Sequence, residues 1–155
     1  MSRKNQSFST YGIGMKWHKV LLFFLWFGAA LNLLSGIFYL IGGLYSDSLF
    51  DVYAIYPELR LFELVYGVAI IAFGIFQFFM RGRLKGLYKG APKLLMANYA
   101  LLIVLNVAAS VVPAVIAPEF VDLDYALLSG NVIGCFVGMA INIPYYKKRD
   151  IMFDN

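Results

Sequence analysis

The sequence predicts an all-α integral membrane protein: an antiparallel four-helix bundle with both termini on the cytoplasmic side. Three observations predict it. Of the 155 residues, 61% are hydrophobic and only 14% are charged, outside the usual balance of soluble domains. Four apolar runs each last the roughly 20 residues that a helix needs to cross a hydrocarbon core. The segments between them alternate between basic and acidic, the pattern produced when Lys and Arg are kept on the cytoplasmic face.

The first span covers about 19–44. It is entered from a polar segment, Met1 to Thr10, through Lys16, Trp17, His18 and Lys19, and left through Gly42 and Gly43. Its apolar run is too long for a signal-peptide core and no small-residue cleavage site follows, so it is expected to be retained. Tyr45 to Tyr56 mixes Asp47 and Asp51 with Leu49, Phe50, Val52, Tyr53 and Ile55, which suits a short amphipathic helix in the interface. Pro57 fits the first turn of the next helix, with Glu58 near its positive end.

The second span covers about 60–80 and leads into a cytoplasmic loop at 81–93. There Arg81, Arg83, Lys85, Lys89 and Lys93 occur with interspersed glycines and no acidic residue. The third span, about 94–116, is expected to stop at Pro113 and Pro118, before an acidic loop holding Glu119, Asp122 and Asp124. The fourth, about 125–145, exits through Lys147, Lys148 and Arg149. All four spans form one domain, 1–155. Basic clusters at the start, middle and end place both termini inside. Leu31-Asn32 in the first span matches Leu105-Asn106 in the third, and Leu64-Val65-Tyr66-Gly67 matches Leu127-Leu128-Ser129-Gly130. That pattern is compatible with a parallel repeat of the two halves.

The net charge of +4 belongs to residues flanking the spans, so it argues for membrane lipids as partners and against nucleic acid. Cys135 is the only cysteine and His18 the only histidine. This leaves no disulfide, no metal-ligand set and no base to activate Ser35, Ser110 or Ser129. Gly12-Ile13-Gly14 is too short for a dinucleotide fingerprint. Neither a cofactor nor an enzymatic activity is expected.

In hydrocarbon each unsatisfied polar group is costly, so polar residues inside the spans carry the information. Asn32, Ser35, Glu63, Asn106, Ser110 and Asn131 are candidates for an outward-facing polar pocket. The simpler reading makes them, with Gln77, Asn98, Ser129 and Asn142, interhelical hydrogen bonds that orient the bundle. Glu63 is the one carboxylate well inside an apolar run, and Arg60 at i−3 is positioned to pair with it. Gly130, Gly134 and Gly138 recur at every fourth position on one face, continuing to Asn142, a groove for close helix packing within the chain or with a second subunit. Gly28, Asn32, Ser35 and Gly36 form a looser version. Trp26, Phe38, Tyr39, Tyr45, Phe50, Tyr53 and Tyr56 fit an aromatic belt.

The ending Asn142-Ile143-Pro144-Tyr145-Tyr146-Lys147-Lys148-Arg149-Asp150-Ile151-Met152-Phe153 resembles the last-helix exit of small, uncharacterised four-span membrane proteins of Gram-positive bacteria. The resemblance covers this tail alone and implies a multi-pass protein of a bacterial plasma membrane. The chain lacks the paired cysteines of disulfide-forming four-span oxidoreductases and the first-helix Glu of small multidrug exporters. The expected function is a non-enzymatic bundle acting through self-association or association with a larger membrane partner. The alternative is a small transporter, channel or lipophile-binding protein that uses the polar pocket.

Overall fold

A computed structural model describes residues 14–42 and 50–153. Its helices are α1 (Lys16–Ile41), a short α2 (Phe50–Ile55), α3 (Pro57–Lys85), α4 (Ala91–Ile116) and α5 (Tyr125–Lys147), followed by a 3₁₀ turn at Asp150–Met152. No strand occurs among the described residues. α1, α3, α4 and α5 are each long and apolar enough to cross a membrane. Their large apolar side chains point outward: Phe23 and Phe24 are each 59% exposed. Lipid is the solvent in which such a surface is stable. Small and polar groups, Ala29, Gly36, Gly67, Gln77 and Asn98 among them, are buried instead.

The helix ends follow local chemistry. Pro57 opens α3 with Glu58 in its first turn, where a missing N–H and a negative charge are both tolerated. Asp124 caps α5, its Oδ1 accepting the Leu127 N–H at 2.8 Å. α1 closes on Gly42, whose φ of 72° lets its N–H reach back to Phe38 and Tyr39.

The third expected span ends at Ile116 as read, and two details near the helix ends differ from the sequence expectation. α3 continues to Lys85, so Arg81, Arg83 and Lys85 stand on a helix and the connection shortens to Gly86–Gly90. Lys and Arg are good helix formers, and the break comes only where Leu87 and Gly90 take positive φ. Pro113 lies inside α4, which runs to Ile116. A proline this close to the C-terminus removes a single hydrogen bond without ending the helix. Of the expected interfacial helix, Phe50–Ile55 forms α2; Tyr45, Asp47 and Leu49 lie outside the described residues, as do Gly43, Leu44 and Met1 to Thr10.

α1 packs most extensively on α3, α3 also contacts α4, and α4 pairs with α5. The α1–α3 seam is nearly backbone to backbone. A Cβ added at Gly36 would lie 2.8 Å from the Gly67 carbonyl oxygen, and one at Gly74 would lie 3.0 Å from the Ala29 carbonyl oxygen. The residue pairs Ala29 with Gly74 and Gly36 with Gly67 thus repeat at a spacing of seven on both helices, which keeps one narrow face in register.

All four long helices converge at the end rich in Lys and Arg, here termed the basic end. Leu21, Leu25, Met80, Leu84, Leu87, Leu95, Tyr146 and Phe153 form one core there. Val52, Leu59 and Ala117 form a smaller core at the opposite end, under α2.

Candidate functional site

Of the six residues expected to line one polar pocket, four are divided among separate clusters and Ser35 and Ser110 join none of them. The first cluster lies near mid-bundle. Asn32 Nδ2 donates to Gln77 Oε1 at 2.8 Å, and Gln77 Nε2 donates to Asn98 Oδ1 at 3.1 Å. This relay crosses α1, α3 and α4, and Gly28 lies beside it, a Cβ there standing in ordinary contact at 3.9 Å from Gln77 Oε1. Gln77 and Asn98 are buried, so each amide satisfies the next where water is absent. Gln77→Leu removes the middle of the relay and strands both asparagines. It is expected to lower stability by about 1–2 kcal/mol, read from unfolding in mixed detergent micelles. Wild-type stability in this variant would show that the relay contributes nothing.

The second cluster surrounds Glu63, whose side chain is 2% exposed. Its Oε2 accepts from the Tyr53 hydroxyl at 2.6 Å and pairs with Arg60 Nη1 at 3.3 Å, so the expected i,i+3 ion pair forms. Arg60 also donates to the Tyr39 and Leu40 carbonyls, at 3.0 and 2.6 Å. α1 has no basic residue in its own last turn. The guanidinium of α3 therefore supplies the cation that a helix C-terminus favours, donating to the Leu40 carbonyl and adding a second donor to that of Tyr39, which also accepts from Gly42. Tyr53 brings α2 into the same cluster. Glu63 Oε1 is buried without a hydrogen-bond partner among the described residues.

The third cluster joins α4 to α5. Asn131 Nδ2 donates to Asn106 Oδ1 at 3.2 Å, while Asn106 Nδ2 donates to its own helix at Leu102. Ser110 is half-buried and Ser35 is exposed. Neither joins these clusters. The Ser129 hydroxyl donates to Ala126 within α5. The polar pairs are not related by the repeat noted in the sequence, because Asn32 bonds to Gln77 whereas Asn106 bonds to Asn131.

A fourth cluster, at the basic end, was not anticipated. Asn142 is buried, accepts from Trp17 Nε1 at 2.9 Å and donates to the Tyr99 hydroxyl and the Gly138 carbonyl. His18, whose neighbours Lys16, Trp17 and Lys19 suit the membrane interface, is buried as well. Its Nδ1 lies 2.9 Å from the Tyr146 hydroxyl, and its ring meets Tyr146 and Phe153 edge-on. Arg149 stacks over Tyr145 and donates to the Gly14 carbonyl. The tail after α5 folds back under the start of α1, a return that no local pattern reveals. The paired tyrosines before the basic run, with Phe153 after it, were the available signal.

The glycine row on α5 divides. Gly138 is covered by the Tyr99 ring, which a Cβ would meet at 2.7 Å. Gly130 and Gly134 are exposed, and a Cβ on either meets nothing within 4 Å. The glycines that bind helices together within the chain are Gly36, Gly67 and Gly74; a spacing of seven on each of two helices was the signal for them. Among the described residues no group of His, Cys, Asp and Glu is arranged to hold a metal ion. Comparisons with known protein families, curated proteins and solved structures find no match.

Proposed function

We propose that this chain is a non-enzymatic bundle of four antiparallel membrane-spanning helices, with both termini in the cytoplasm, that works by association through the exposed face of α5. The partner is a second copy of the chain or a larger membrane protein. One observation carries the reading: Gly130 and Gly134 keep a smooth helix face where this chain supplies no neighbour. A glycine inside a helix costs about 1 kcal/mol relative to alanine. At Gly36 and Gly67 that cost is offset by close packing; at Gly130 and Gly134 the offset has to come from another molecule. The basic residues at one end of the bundle support the orientation.

Native mass spectrometry from mild detergent tests the proposal. A Cβ at Gly134 meets nothing within 4 Å outside its own helix backbone, so Gly134→Leu should leave the fold intact while converting a defined oligomer to monomer. A wild-type monomer that retains a discrete small molecule would instead favour a small transporter, channel or lipophile-binding protein. Glu63 Oε1, without a hydrogen-bond partner among the described residues, is the observation on that side, because a buried polar atom of this kind marks a site where a ligand or proton has something to gain. Under that second reading, Glu63→Gln and Asn106→Leu change ligand retention while assembly persists.

A further inference from the structure

A cavity of about 350 Å³ opens at the basic end, between the first turns of α4 and the last turn of α5. That volume is within the range of small-molecule sites, about 300–1,000 Å³. Its walls differ in chemistry. Met96, Ile143 and Tyr146 form an apolar side, whereas Lys93, Lys147 and Asp150 supply charge. All three charged residues are exposed, and among the described residues none is engaged in an ion pair. Asn142 stands behind them, held by Trp17 and Tyr99, so the back wall is already ordered before any ligand arrives.

Two cations and one anion around an apolar wall match a molecule with a phosphate, a primary ammonium and a hydrocarbon tail. We propose that the cavity binds the headgroup of an aminophospholipid of the phosphatidylethanolamine type. Lys93 and Lys147 take the phosphate as point charges. Asp150 accepts from the ammonium, and Met96 and Ile143 receive the first methylenes of an acyl chain. α4 adds to the phosphate's side, since its first turn holds no acidic residue. Ile143 is 51% exposed on a helix apolar enough to span a membrane, so the cavity is continuous with the surface that lipid tails cover. The inference rests on α4 and α5 being membrane spans and is independent of how α5 associates.

The test uses the full chain in mild detergent, titrated with phosphatidylethanolamine, phosphatidylglycerol and phosphatidylcholine of one acyl composition, with bound lipid counted by native mass spectrometry. Phosphatidylethanolamine should be retained severalfold better than either of the others. Phosphatidylglycerol lacks the ammonium, and the methylated ammonium of phosphatidylcholine cannot donate to Asp150. Lys93→Gln with Lys147→Gln should weaken phosphatidylethanolamine binding on the order of 25-fold, as about fivefold per lysine at a membrane surface implies. Asp150→Asn should remove the preference over phosphatidylglycerol while leaving the fold unchanged, because the side chain is exposed. The proposal is overturned if wild-type protein prefers phosphatidylglycerol or does not discriminate, or if the lysine variant binds as tightly as wild type. Equal competition by soluble glycerophosphoethanolamine would overturn the lipid assignment.

Discussion

Gly36→Ala is expected to destabilise the protein by about 2 kcal/mol, even though alanine is the better helix former. The new methyl would stand 2.5 Å from Ile71 Cγ1 and 2.8 Å from the Gly67 carbonyl oxygen. The carbonyl belongs to the backbone of α3 and moves only if the helices separate. Overpacking of this kind costs about 1–3 kcal/mol and occasionally more, against a propensity gain of about 1 kcal/mol. Gly36→Leu should prevent α1 from seating on α3 at all. Gly134→Ala supplies the control: it adds the same methyl where nothing lies within 4 Å, so only the propensity gain remains in a monomer. Unfolding of both alanine variants in mixed detergent micelles decides the matter. Equal stability for Gly36→Ala and wild type would mean that the helices do not approach this closely.

Arg60→Leu is expected to cost about 3 kcal/mol, more than Glu63→Gln. Removing the guanidinium leaves a buried carboxylate without its charge partner and takes a donor from the Tyr39 and Leu40 carbonyls of α1. Breaking a buried pair from one side typically costs about 3–5 kcal/mol. Arg60 is 32% exposed, so water offsets part of that and the lower end applies. Glu63→Gln keeps the shape, lets the amide oxygen accept from Arg60 and Tyr53, and leaves the capping of α1 intact. In the double variant Arg60→Leu with Glu63→Leu, the loss should be smaller than the sum of the single losses, because no charge is left stranded. A strictly additive double variant would show that the pair is not coupled in the fold.

The Arg60–Glu63 pair was legible in the sequence because an i,i+3 spacing on a helix settles it locally. The Asn32–Gln77–Asn98 relay was legible only as a set of polar residues that had to face inward. Which amide meets which depends on the rotation of three helices about their axes. The glycine row on α5 stood out because its repeat lies within one helix, yet Gly130 and Gly134 touch nothing in the chain. The working seam escaped notice because it needs Ala29 and Gly36 of α1 to be read against Gly67 and Gly74 of α3. His18 looked like an interface residue among Lys16, Trp17 and Lys19, and is buried because Tyr146 and Phe153 return from the other end of the chain.

The sequence by itself determined the four long apolar helices, their order and the separation of basic from acidic connections. Lipid imposes those features directly, since a span must be long, apolar and internally hydrogen-bonded whatever its neighbours are. Only the tertiary structure decided how the polar residues divide into separate clusters, which glycines are filled and which are left bare, and that the tail closes the basic end. Lipid tails are as apolar as leucine, so burial alone does not select one helix face over another. The choice falls to close backbone approach and to individual hydrogen bonds, and both are properties of helices in register rather than of residues in order.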